Sequence, residues 1–192
     1  MIHPQTEVRY INPRKGYGLF AAALIPCGTI TWTRDPLDRE FTKLELLAYP
    51  PLIQDIILQY SYRNSQGNFI FCWDNTRYMN HSDAPNSCLT PYELELAVCD
   101  ISPGEEITNH YGTLNIIEPF TPDEETSITV NPDDLLHHSS EWDTLLGTVF
   151  PRLIRVEQPL KNFIEPERWR QLQEISAGNR PMDSIRSCLY RA

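Results

Sequence analysis

The sequence predicts a mainly β domain carrying a helical insert and a helical C-terminal extension. Short apolar runs separated by glycine turns occur near the N-terminus and again between Asn68 and Gly112. Between them lies a capped stretch with helical periodicity, and beyond residue 130 come helical patterns that each start at a proline.

The first β region holds strand candidates at 7–11, 17–25 and 29–33, joined by Gly16 and Gly18 and by the Pro26-Cys27-Gly28 turn. In the insert, Thr42 and Glu45 have the spacing of a capping box, in which hydroxyl and carboxylate each take a free backbone N–H. Pro50-Pro51 interrupts that helix and suits the first turn of the next, where Leu52, Ile53, Ile56, Ile57 and Tyr60 recur at helical spacing. The second β region offers strands at 68–73 and 94–99 by β-branched, aromatic and alternating content, and Pro103-Gly104 turns the chain into Glu105–Gly112. An acidic, proline-punctuated linker follows at 116–130, then helices at 132–149, 166–176 and 181–190. Trp142, Leu145, Trp169, Leu172, Ile185 and Leu189 are expected to face the body.

The chain has 192 residues, enough for one cored domain with an appendage, and divides at 1–115 (insert at about 36–66) and 116–192. No segment has the apolar length of a membrane span, and MIHPQTEVRY lacks the basic-then-apolar pattern of a secretory leader, so an intracellular protein is expected. The 5 cysteines (Cys27, Cys72, Cys88, Cys99, Cys188) include no C-x-x-C pair, which argues for reduced thiols over a disulfide framework or zinc site. A formal net charge of -10 disfavours nucleic acid, whose binding needs Lys and Arg, and favours a basic protein or peptide. The charge is uneven: 118–143 is acidic without a Lys or Arg, while the chain after Pro151 is Arg-rich.

Chemistry concentrates at Gly16-Tyr17-Gly18, Asn80-His81-Ser82 and Glu105–Gly112. Each alone leaves several readings open. The first is not a dinucleotide fingerprint, because no third glycine opens a helix. His81 lacks histidine or cysteine partners at zinc spacing, Ser82 lacks the G-x-S-x-G elbow, and nothing marks a cysteine as an activated nucleophile.

Together and in order, the three motifs resemble a known pattern. Gly16-Tyr17-Gly18-Leu19-Phe20-Ala21 is similar to the G-x-G-[LV]-F-A opening of the SET-domain family of protein lysine methyltransferases. Arg77-Tyr78-Met79-Asn80-His81-Ser82 with Pro85-Asn86 resembles its R-[FY]-[IM]-N-H-S-x-x-P-N signature. Gly104-Glu105-Glu106-Ile107-Thr108 with Tyr111-Gly112 resembles its G-E-E-[LI]-T-x-x-Y-G segment, so the likeness covers about residues 6–115.

The resemblance implies a fold of small β-sheets whose C-terminal segment makes a knot-like crossing beside the Asn-His stretch. It implies S-adenosyl-L-methionine as cofactor, held by Lys15, Gly16, Tyr17, Gly18, Asn80, His81 and Tyr111, the glycines allowing close backbone approach. Tyr111 is the implied catalytic phenol, with His81 bracing the crossing rather than acting as a base. Tyr60, Tyr62 and Tyr78 are candidate walls of a substrate channel, Trp73 lines or underlies the site, and no metal is expected. The implied acceptor is a lysine of a basic protein, such as a histone-like, nucleoid or ribosomal protein. An inactive binding module, or an enzyme with another acceptor, is the alternative. The sequence departs from the family pattern at Asp83, where Cys is frequent, and at His110, where Asp is common. The cysteine-rich segment that often follows is missing, leaving 116–192 to cover the channel in a stand-alone enzyme.

Overall fold

The computed structural model describes residues 1–122 and 128–191; 123–127, within the acidic linker expected above, lie outside the described residues. Strands β1 (Thr6–Asn12) and β2 (Gly16–Ala21) form an antiparallel hairpin. The Asn12 side-chain oxygen accepts the Arg14 and Lys15 N–H groups at 2.9 and 2.8 Å, and Gly16 takes the left-handed φ of 71° that closes the turn. The strand expected at 17–25 stops at Ala21, and Ile25 pairs separately with Ile101.

Chain order then gives β3 (Ile30–Thr33), β4 (Arg39–Phe41), α1 (Lys43–Leu47), α2 (Pro51–Gln59), β5 (Ser61–Arg63) and β6 (Phe69–Phe71). Next come β7 (Asn80–His81), β8 (Ser87–Leu89), β9 (Leu94–Ala97) and β10 (Glu106–Asn109), followed by α3 (Asp134–Val149) and α4 (Pro166–Ser176). The described residues make three small sheets, ordered β1-β2-β10-β7, β3-β9-β8 and β4-β6-β5. In the first, β10 runs antiparallel to β2 and parallel to β7, so the last strand of the β region sits between two earlier ones.

Thr42 and Glu45 form the expected capping box on α1. Of the apolar repeat on α2 only Ile57 is buried; Leu52 stays 72% exposed. A sheet of three-residue strands offers room for one helical stripe, and Ile57 occupies it.

The extension is part of the main core. Leu135, Trp142, Leu146, Phe150, Leu172 and Ile185 pack in one cluster with Ile30, Trp32, Leu94 and Leu96 of the β3-β9-β8 sheet, each buried side chain contributing about 1.5–3 kcal/mol. Trp169 and Leu189 are half-buried and pack against it, and Leu145 is half-buried. The helix expected at 181–190 is a correction: only a 3-10 turn, Ile185–Cys188, forms. The body supplies acceptors to this segment's donors. Asp143 takes the Ile185 N–H at 2.8 Å and the Ser184 hydroxyl at 2.6 Å, and the Tyr92 oxygen takes the Asp183 N–H at 2.7 Å. No described helix is long and apolar enough to cross a membrane.

Because α3 fills the same core as the sheet, Leu146→Ala should cost about 2–5 kcal/mol in urea unfolding. Tryptophan fluorescence and circular dichroism should report a single shared transition. A loss under about 1 kcal/mol would show that the extension is only loosely attached.

Candidate active site

The parallel pairing of β10 with β7 builds the site. Thr108 and Asn109 pair with Asn80 and His81, and the Asn109 carbonyl accepts the Ser82 N–H at 3.0 Å. Tyr111 then reaches back twice. Its N–H donates to His81 Nδ1 at 3.1 Å, and its phenol donates to the Met79 carbonyl at 2.8 Å. The two motifs, about thirty residues apart in sequence, are thereby held as one unit. Burial, with Glu106 and Glu95 nearby, pushes the Tyr111 phenol up to about 12, so it stays protonated near neutrality.

Tyr111 opens on a cavity of about 300 Å³. Its floor is the cross-strand row Trp32–Glu95–Leu89 of the β3-β9-β8 sheet. Tyr60, Tyr62, Phe69 and Cys72 from the insert side wall it, Met79 and Asn109 join Tyr111, and Leu114 to Ile117 close another side. The segment just after the family motifs thus lines the cavity, and Phe120 packs at 6.0 Å from the His81 ring and 5.9 Å from the Tyr111 ring.

On the side of the opening hairpin, the Asn80 amide is fixed. Its Nδ2 donates to the Tyr17 carbonyl at 3.1 Å and to Glu106 at 2.7 Å, leaving Oδ1 without a partner among the described residues. A Cβ on Gly18 would lie 2.6 Å from Glu106 and 3.1 Å from Asn80 Nδ2. Gly18 is therefore set by the close packing of these side chains, and Gly16 by its positive φ. A free amide acceptor beside strand-edge backbone fits the amino-acid end of S-adenosylmethionine.

The other predicted residues are placed as follows. Lys15 and Tyr17 are exposed on the hairpin, with Tyr17 edge-on to Tyr10. Tyr60 and Tyr62 line the cavity, whereas Tyr78 packs behind them, between Tyr17 and Tyr60 at 5.8 and 6.1 Å. Tyr78 closes a 3-10 turn, and its successor Met79 is the residue buried against the cavity. Trp73 lies outside the lining as well, its indole N–H donating to Asp35 at 3.1 Å.

His81, Asp83 and His110 place ligand atoms within 4.8 Å of one another. Their hydrogen bonds suit no metal. The Tyr111 and Gly112 N–H groups donate to Nδ1 of His81 and His110 respectively, so each neutral ring carries its proton on Nε2, where a metal would need a lone pair. His81 Nε2 instead meets Asp83 at 3.0 Å. His110 turns away from the cavity and packs on Trp142 at 5.4 Å, and its Nδ1 caps the turn.

Glu95 and Asn109 escaped the sequence reading. Alternation in Leu-Glu-Leu-Ala assigns Glu95 to solvent, but β9 is buried on both faces. A carboxylate flanked by leucines in a central strand was the available signal.

Burial, then the neighbouring His81, lowers the His110 pKa below its usual 6.5, and burial lowers that of His3. The unfolded chain therefore binds more protons below about pH 6.5, and stability should fall as pH drops through that value toward the lower folded values. Chemical denaturation between pH 8 and 5 should show this slope. His110→Asn, which keeps an acceptor for Gly112, should reduce the slope while His3 keeps part of it; an unchanged slope would remove His110 from the account.

Comparison with known proteins agrees with the motif order. A family model described as SET domain matches residues 16–112, half of the chain, from the first motif glycine to the last. No curated protein matches. A structure of a candidate histone methyltransferase from Plasmodium falciparum is similar at 18% identity and a TM-score of 0.42, over 57% of this chain and 95% of that one. The methyltransferase domain of human histone-lysine N-methyltransferase SETMAR is similar at 19% identity and a TM-score of 0.42, over 58% of this chain and 45% of that one.

Proposed function

The chain belongs to the SET-domain family, and from that premise we propose that it is an S-adenosylmethionine-dependent methyltransferase acting on a lysine of a basic protein segment. The observation that carries the reading is the double hold of Tyr111 on Met79 and His81, which sets the phenol between the Asn80 segment and the cavity. The net charge of -10 favours a basic partner.

The cofactor, when bound, supplies an electrophilic methyl group on a sulfonium. Asn80 Oδ1 and the backbone around Gly16–Gly18 and His81 are the groups that would hold it. On the acceptor side, a free lysine amine has a pKa of about 10.4 and is almost wholly protonated near neutrality. Tyr62, Phe69 and Leu89 enclose the hydrocarbon stem of such a side chain, and the positive charge of a neighbouring sulfonium disfavours the ammonium relative to the nucleophilic amine. Tyr111 has its proton committed to the Met79 carbonyl, so the phenol oxygen is left as an acceptor for an amine N–H or a polarised methyl C–H. Its raised pKa removes it as a base at neutral pH; it positions. Enclosure by the walls keeps water from competing with the amine.

Transfer of labelled methyl from S-adenosylmethionine to a panel of basic proteins tests the reading. Tyr111→Phe should lower transfer on the order of 10²-fold, with cofactor affinity by calorimetry within about threefold of wild type. Transfer unaffected by the substitution would remove the phenol from the mechanism. Cofactor binding without any transfer would point instead to a binding module.

A further inference from the structure

The cavity floor is not the uniformly apolar surface that a hydrocarbon side chain would need. Glu95 lies in it at 3% exposure, accepting from Asn109 Nδ2 at 2.9 Å and Ser87 Oγ at 2.8 Å. Each carboxylate oxygen retains a second lone pair. Among the described residues no cation pairs with it. Arg63, also in the lining, donates to the Asn115 and Ile116 carbonyls, and Arg77 lies over the Tyr60 and Tyr78 rings.

Unpartnered polar atoms gather at the same place. Of six buried side-chain atoms without a hydrogen bond among the described residues, five belong to cavity-lining residues: Trp32 Nε1, Ser61 Oγ, Thr76 Oγ1, Arg77 Nε and Asn109 Oδ1. Buried polar groups are rarely left orphaned, each costing about 1–3 kcal/mol, so their concentration marks a ligand site. Asn109 is 4% exposed and its orientation is fixed, since the reverse amide would turn its oxygen on the Glu95 carboxylate.

We propose that Glu95 and Asn109 Oδ1 form the acceptor pair for the cationic head of the substrate side chain, a primary ammonium that donates to both and serves as the counter-ion Glu95 lacks. This rests on the cavity being the acceptor site. Burial raises the Glu95 pKa against the pull of its Asn109 and Ser87 hydrogen bonds; a cation with N–H donors offsets the cost of the ionised form, whereas a neutral head does not. A head without N–H leaves Asn109 Oδ1 unpaired.

The test needs no cofactor. Thermal unfolding of the full chain is followed against n-butylammonium chloride, n-butyltrimethylammonium chloride and butan-1-ol at constant chloride. Wild type should show a saturable rise in Tm with n-butylammonium only. Glu95→Gln, which can keep both bonds to Ser87 and Asn109, should weaken it at least about tenfold, as expected for losing a charge-assisted bond. Asn109→Ala should weaken it as well, and it decides the matter if Glu95→Gln does not fold. No saturable response in wild type, an equal response to butan-1-ol, or full retention by a folded Glu95→Gln would each overturn the proposal. Ammonium binding with no methyl transfer would retain the acceptor pair and discard the enzymatic reading. Transfer undiminished in Glu95→Gln would do the reverse.

Discussion

The site depends on one residue hydrogen-bonded at both ends. Tyr111 fixes its backbone through the His81 ring and its phenol through the Met79 carbonyl, so the strand that ends the β region is tied to the one that carries Asn80. Each bond contributes modestly, about 0.5–1.5 kcal/mol net, but together they fix position. A phenol held only through its backbone could swing about its side-chain torsions. Held through Met79 as well, its oxygen has one place, at the cavity wall. Gly112 continues the constraint, because a Cβ there would lie 2.6 Å from Asp134 and 2.8 Å from His110 Nδ1.

The helical extension is coupled to the same arrangement. His110, one residue before Tyr111, accepts the Gly112 N–H and packs on Trp142 of α3, so the turn after β10 is pressed between the crossing and the extension. The extension also buries the far side of the β3-β9-β8 sheet. That leaves β9 with no face toward water, and Glu95 is held inside the molecule. On the opposite face, Glu95 is enclosed by its partners Ser87 and Asn109 and by the cavity walls.

Local patterns were legible where the signal is local. The capping box at Thr42, the glycine turn at Gly16, the proline starts of α2 and α4 and the three motifs all rest on residues within a few positions of one another. The crossing itself was legible only through the likeness to a family. The failures have a common origin in tertiary contacts. Residues 181–190 look helical alone, but Asp143 and Tyr92 take their backbone donors. Tyr78 and Met79 differ by one position, and the turn, not the alphabet, decides which faces the cavity. Glu95 reads as solvent-facing because alternation cannot reveal that both faces are covered.

The central claim is that the hairpin turn, the Asn80-His81 stretch and Tyr111 make one binding site. Calorimetric titration of S-adenosylmethionine into wild type and Asn80→Ala, with folding checked by circular dichroism, tests it most directly. The account predicts saturable one-to-one binding, weakened at least about tenfold by the substitution with the fold retained. Absence of binding by the folded wild type, or equal affinity in the two proteins, would contradict it.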